Sequence, residues 1–473
     1  MQRLAIPFIR LLNRHTGVTC EATPNGQTYT IHFVGFLSTV VSVWIIDFHS
    51  VQVMALLYPY ITYLPIEMLS AMFEAAPILP DERLEFAMSV SQVSRMWRQT
   101  AMNTTFLWSS ILVLGECGEG WLKLIESIIK LSRSDPLDIT VRLYRDERDS
   151  HFEVILHQQL DIIIPEIYRW KRLFYAAFFC DDAYLFFQPL SLLSAPVLEV
   201  LEITVNTEEY DDENLSIFSG GTSTLSQITM DGMGITSCFP PISSLTSLRL
   251  RNSPYPLTLT LFKDILTASD ALTHLEFHVD SLDEDHLDEF GVQGQFIDLS
   301  SLRSLQIVYP DQLRNLLRIL RCPGLEVMRI DELRSPDSQP QYSYELSRFN
   351  CLRSLELRGV DCTVLLAEFN VRELPALTHI TFYRCTTSMI ILNALVPATE
   401  DEETVWPLLK VISLDAVSLP HKDVDSFCEV LSYRSECGKP VECVKFDTTF
   451  VEWIDYGDYV GSLREVVHVE THW

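Results

Sequence analysis

The chain has 473 residues, 47% of them apolar, and a mean hydropathy of +0.14, which describes a folded protein and excludes disorder as its main state. That length suits two or three domains or one extended repeat array. A formal net charge of −29 with no basic run argues against nucleic-acid binding, because phosphates would be repelled.

Residues 1–60 differ in character from the rest. Phe33 to Ile46 is an uncharged, mostly apolar run bounded by His32 and Asp47. It is shorter than the roughly 20 residues that span a bilayer and too far from the start for a signal peptide. Three readings fit it: a buried segment, a membrane anchor, or translated sequence that the mature protein does not use. Met54 offers a later start, and a chain beginning there is expected to fold as well as the full one. The eleven cysteines stand singly with no Cys-x-x-Cys pair, which favours buried thiols in a reducing compartment over disulfides or zinc. The two sequons, Asn103-Thr104-Thr105 and Asn214-Leu215-Ser216, read as chance matches.

Residues 61–111 predict short helices. Pro65 suits a first helical position, and Leu69, Met72 and Phe73 behind it make one apolar face. After Pro77 and Pro80, Val90, Val93, Met96, Trp97 and Ala101 keep the same period, and the stretch closes on Leu107-Trp108. About fifty residues cannot enclose a full core, so part of this apolar surface is expected to meet a partner.

The segment resembles an F-box: a Leu64-Pro65-x-Glu67 opening, a Val93-x-x-x-Trp97-Arg98 middle and a closing Leu107-Trp108. Ser94 departs from the Cys of many members, a small-for-small change. The resemblance implies docking onto the Skp adaptor of a cullin–RING ubiquitin ligase through Leu64, Pro65, Ile66, Leu69, Phe73, Val93, Trp97, Leu107 and Trp108. It also implies a cytoplasmic or nuclear protein.

Residues 112–165 read as a helix–strand linker unit. Trp121 to Ile129 has a helical apolar face, and Leu137, Ile139, Val141 and Leu143 alternate with polar residues at the strand period. The helix with Arg133-Ser134-Asp135-Pro136-Leu137-Asp138-Ile139-Thr140 behind it is similar to the segment C-terminal to the F-box in a large group of fungal F-box proteins.

From 166 to 473 a frame L-x-x-L-x-L recurs. Its copies start at Leu198, Leu225, Leu245, Leu272, Leu302, Leu325, Leu352, Leu377, Leu409 and Val441, with Trp170-Leu173-Tyr175 as a degenerate first copy. The spacing approaches the leucine-rich-repeat period of about 20–29 residues, in which stacked units share one core. Return segments such as Asp311–Arg321 and His421–Tyr433 carry helical faces, and acidic insertions lie at 280–289 and 397–403. The fold class expected is α/β: a small helical F-box subdomain followed by an irregular leucine-rich-repeat solenoid, a curved parallel sheet with outer helices.

Residues between the strand leucines should line up in columns on the concave side. The central column would hold Arg249, Glu276, Gln306, Arg329 and Glu356; flanking positions add Arg251, His278, Asp331, Arg358 and Tyr383. Solenoids bind proteins on such a face, and the arginines suit carboxylates. No phosphate-cradling glycine loop and no Gly-x-Ser-x-Gly elbow occurs. His274 and His278 share a strand face without further ligands, and His468 and His472 look equally lone. No catalytic residue, cofactor or metal is expected. The expected role is a non-catalytic substrate receptor with the Skp-type adaptor and an unknown protein target as partners. The alternative is an interaction scaffold unconnected to ubiquitin ligation.

Overall fold

The computed structural model describes residues 65–472 with interruptions, the longest at 207–214, 279–295, 309–316, 333–348, 364–373, 396–404 and 448–460. The Phe33–Ile46 run, Leu64, both acidic insertions and most of the Asp311–Arg321 segment lie outside the described residues. The chain divides into two compact units, Met1–Ala176 and Ala177–Trp473.

In the first unit, α1 (Ile66–Ala75), α2 (Arg83–Ser91) and α3 (Arg95–Asn103) precede a tight turn at Thr105–Trp108. Helix α1 begins one residue later than its sequence implies: Pro65 is the cap, and its carbonyl accepts the Leu69 N–H at 3.1 Å. The apolar run from Val90 to Ala101 is two helices, not one. The Gln92 N–H turns back to carbonyls at the end of α2, and the Ser94 hydroxyl accepts the Trp97 N–H at 3.2 Å to start α3 afresh. Phe73 meets the Trp97 ring edge-on at 5.5 Å and Phe86 at 6.2 Å, and the Trp108 indole donates to the Ala101 carbonyl at 2.7 Å.

Strands β1 (Ser110–Leu114), β2 (Leu137–Leu143) and β3 (Trp170–Ala177) lie side by side in that order, with α4 (Glu119–Ser132) and α5 (Phe152–Ile163) between them in sequence. β1 and β2 run parallel. The Gln159 amide accepts from the Leu114 N–H at 3.2 Å and donates to the Leu114 carbonyl at 2.7 Å, completing the backbone pairing at the β1 end. The alternation in β2 implies a solvent face, yet Asp138 and Thr140 are buried too. Arg83 explains Asp138: its guanidinium donates to the carboxylate at 3.0 Å and to the Ser109 hydroxyl at 2.7 Å, and it stacks 4.2 Å over the Phe106 ring. A second buried arginine, Arg169, caps the C-terminal end of α4, donating to the Arg133 and Asp135 carbonyls and the Ser132 hydroxyl.

In the second unit, α6 (Cys180–Phe187) leads into β4 (Val200–Val205), β5 (Gln227–Asp231), β6 (Ser247–Arg251), β7 (His274–His278), β8 (Ser304–Val308), β9 (Val327–Asp331), β10 (Ser354–Arg358), β11 (His379–Tyr383), β12 (Val411–Asp415), β13 (Cys443–Asp447) and β14 (His468–His472). They are ordered in the sheet as in the sequence, every pair parallel and in step. All three apolar positions of every full frame are buried, which is what lets neighbouring units share one core.

The returns are uneven. Between strands lie α7 (Leu259–Thr267) and α8 (His421–Glu436), whereas Leu320–Arg321, read from sequence as the end of a helix, is extended and pairs with Ile297–Asp298. A step recurs at the strand ends. Gly232, Asn252, Glu332, Gly359 and Arg384 each come directly after a strand with φ between 47° and 71°. The N–H groups of Gly232, Glu332, Gly359 and Arg384 donate to the final carbonyl of the next strand at 2.7–3.0 Å. A Cβ at Gly232 would run into the Val205 carbonyl, so glycine is required there. The described cysteines carry free thiols, and no described helix is long and apolar enough to cross a membrane.

Candidate functional site

Two surfaces collect the residues singled out by sequence. On the helical segment they separate into two groups. Leu69, Phe73, Trp97, Leu107 and Trp108 are buried, so they hold the helices together instead of offering a contact face. Pro65, Ile66 and Val93 are exposed, Ile66 and Val93 each to 48%. Met68, at 38%, joins them from α1, and Met88 and Met102 from α2 and α3. Helical periodicity marks apolar residues without saying which way each points, so it does not single out Met68, Met88 and Met102. Methionine is the adaptable choice for a contact surface.

The second surface is the strand face opposite the frame leucines. Strand register sets Arg249 beside Glu276, Glu276 beside Gln306, Gln306 beside Arg329, and Arg329 beside Glu356. The next column runs Asp331, Arg358, Tyr383, Asp415. The columns drawn from the repeat frame are therefore columns in space.

The charges along them are paired with each other. Glu276 is buried and takes the Arg251 guanidinium on Oε1 at 2.5 Å and Arg249 on Oε2 at 3.4 Å. Gln306 donates to Asp331 at 2.9 Å; Arg329 lies 3.3 Å from Asp331 and 3.6 Å from Glu356; Arg358 lies 3.9 Å from Glu356. Tyr383 has Arg358 and Arg384 over its ring at 5.4 and 5.2 Å. Burial, the largest influence, pushes the Asp331 carboxyl above its usual range against the opposing pull of Arg329. At the centre of the strip, Arg329 Nε, Asp331 Oδ1 and Arg358 Nε make no hydrogen bond among the described residues. Their ion pairs are charge contacts with bonding capacity left over.

His274 is exposed at the start of β7 and His278 half-buried at its end, with the buried Glu276 between them. His468 is not isolated, contrary to the sequence reading: register places Cys443 beside it, and its Nε2 lies 3.6 Å from Glu470. Nothing in the order of residues links Cys443 to His468 until the two strands are aligned. Neither the protein-family models nor the curated proteins compared with this chain give a match.

Proposed function

We propose that the protein is a non-catalytic receptor whose helical segment docks a Skp-type adaptor of a cullin–RING ubiquitin ligase and whose strand-face strip holds a protein target. The observation that carries the reading is the apolar set Pro65, Ile66, Met68 and Val93, exposed on a segment that still has a buried aromatic centre of its own. Such a segment stays folded while presenting apolar surface for burial elsewhere. The strip supports the second half: a parallel array offers columns of mixed charge, and the partly exposed side chains of Arg249, Arg251 and Arg358 can reach carboxylates of a polar target. A receptor of this kind raises the effective concentration of its target near the ligase.

The test is capture of a purified Skp-type adaptor by the full chain. Ile66→Glu with Val93→Glu should abolish capture while thermal unfolding changes little, because both residues are already about half exposed. Undiminished capture by that double variant would leave the array as a scaffold without a ligase connection. Arg329→Ala with Arg358→Ala should spare the adaptor and weaken target capture by about 2–5 kcal/mol if the pair is buried on binding.

A further inference from the structure

Cys443, His468 and Glu470 bring a thiol, an imidazole and a carboxylate together on β13 and β14. Cys443 and His468 are register partners, and Glu470 stands two residues further along β14, so all three side chains leave the same face of the sheet. Their ligand atoms lie within 4.8 Å of one another. A tetrahedral zinc ion with bonds of about 2.0–2.3 Å holds its ligand atoms roughly 3.4–3.7 Å apart. Closing the set therefore takes side-chain adjustments of about an ångström, within the reach of rotamers on fixed strands.

The surroundings fit a ligand set. The two oxygens of Glu470 are divided between partners: Oε2 takes the Lys445 ammonium at 2.9 Å, while Oε1 faces His468 Nε2 at 3.6 Å. Glu470 can thus bind a cation through Oε1 with Lys445 remaining on Oε2, the outer-shell bond that orients a ligating carboxylate. Cys443 is buried on the sheet side and His468 exposed, so the fourth position of a tetrahedron opens to water. One sulfur, one nitrogen and one oxygen donor suit zinc and its neighbours Co²⁺ and Ni²⁺, and are wrong for calcium or magnesium, which take oxygen ligands.

We propose that Cys443, His468 and Glu470 bind a zinc-class divalent cation that pins β14 onto β13. The site is independent of adaptor docking and target binding, so it stands or falls apart from that reading.

Cobalt(II) titration of the full chain tests it, because a cobalt–thiolate bond gives a charge-transfer absorption that oxygen and nitrogen ligands do not. One Co²⁺ per chain should bind with that band. Cys443→Ser should remove the band, and Cys437→Ser, at an exposed cysteine, should leave it intact. His468→Gln, on an exposed side chain that can change without unfolding the sheet, should weaken Zn²⁺ binding about tenfold or more in competition with a chromophoric chelator. Zn²⁺ should also slow amide exchange at Val469 and Glu470. Absence of the band, its survival in Cys443→Ser, or an unchanged zinc affinity in His468→Gln would each overturn the site. Unchanged exchange at β14 would overturn the pinning.

Discussion

Arg83 in the first unit and Arg251 in the second both hold a carboxylate at 3.0 Å or less, yet they do different work. Arg83 and Asp138 are both buried, and the pair joins a helix to a strand that are far apart in sequence. Burial lowers the Arg83 pKa more than Asp138 restores it. Arg251 and Arg249 keep their heads partly in water and share one buried carboxylate. The distance is similar; the surroundings decide whether a charge braces the fold or is displayed on it.

The comparison breaks most sharply at Arg83. Arg83→Met leaves Asp138 without its closest cation and should cost about 3–5 kcal/mol in urea unfolding, and Arg83→Met with Asp138→Leu should recover much of that loss. Equal stability of the single and double variants would mean the pair is not what holds the two elements. In the strip, Glu276→Gln should cost no more than about 1 kcal/mol, and the difference should shrink further in high salt. A loss as large as that at Arg83 would place the strip among the bracing elements.

The smallest effect concerns pH. Asp331 has its folded pKa raised by burial above the ordinary 3.8. Its contribution is therefore fully present below about pH 3.8 and is lost as pH rises through the raised value. Asp331→Asn, which never ionises, should flatten that part of the stability–pH profile. An unchanged profile would show that Arg329 offsets the burial in full.

The strands are legible in the sequence because one frame recurs at similar spacing, with apolar residues on alternate positions that a strand sends to a single face. The columns come from the same frame. β14 escapes it because its register places Val466, Val469 and Thr471 at the frame positions, with no leucine among them and a polar residue at the last. Asp138 misleads because an alternating strand looks the same whether its polar face meets water or a buried arginine. On the helices, periodicity finds the apolar residues but does not separate Trp97, which packs inward, from Val93, which the break at Ser94 turns outward. Arg434 leaves no trace at all: it is fully buried in α8 and donates to the Val405 and Trp406 carbonyls at 2.7 and 2.8 Å.

The left-handed residue after a strand has a consequence for how such a chain can change over generations. At Gly232, Glu332, Gly359 and Arg384 its N–H ties the end of its own strand to the end of the next, so alignment is set locally at those four junctions. The length of the connecting segment does not enter into that alignment. Long insertions can accumulate in one connection without shifting any side chain on the strand face. A whole unit can also be duplicated or deleted provided it carries its own junction residue. Lineages can thus lengthen, shorten and re-letter the displayed columns one unit at a time, while the shared interior stays the same.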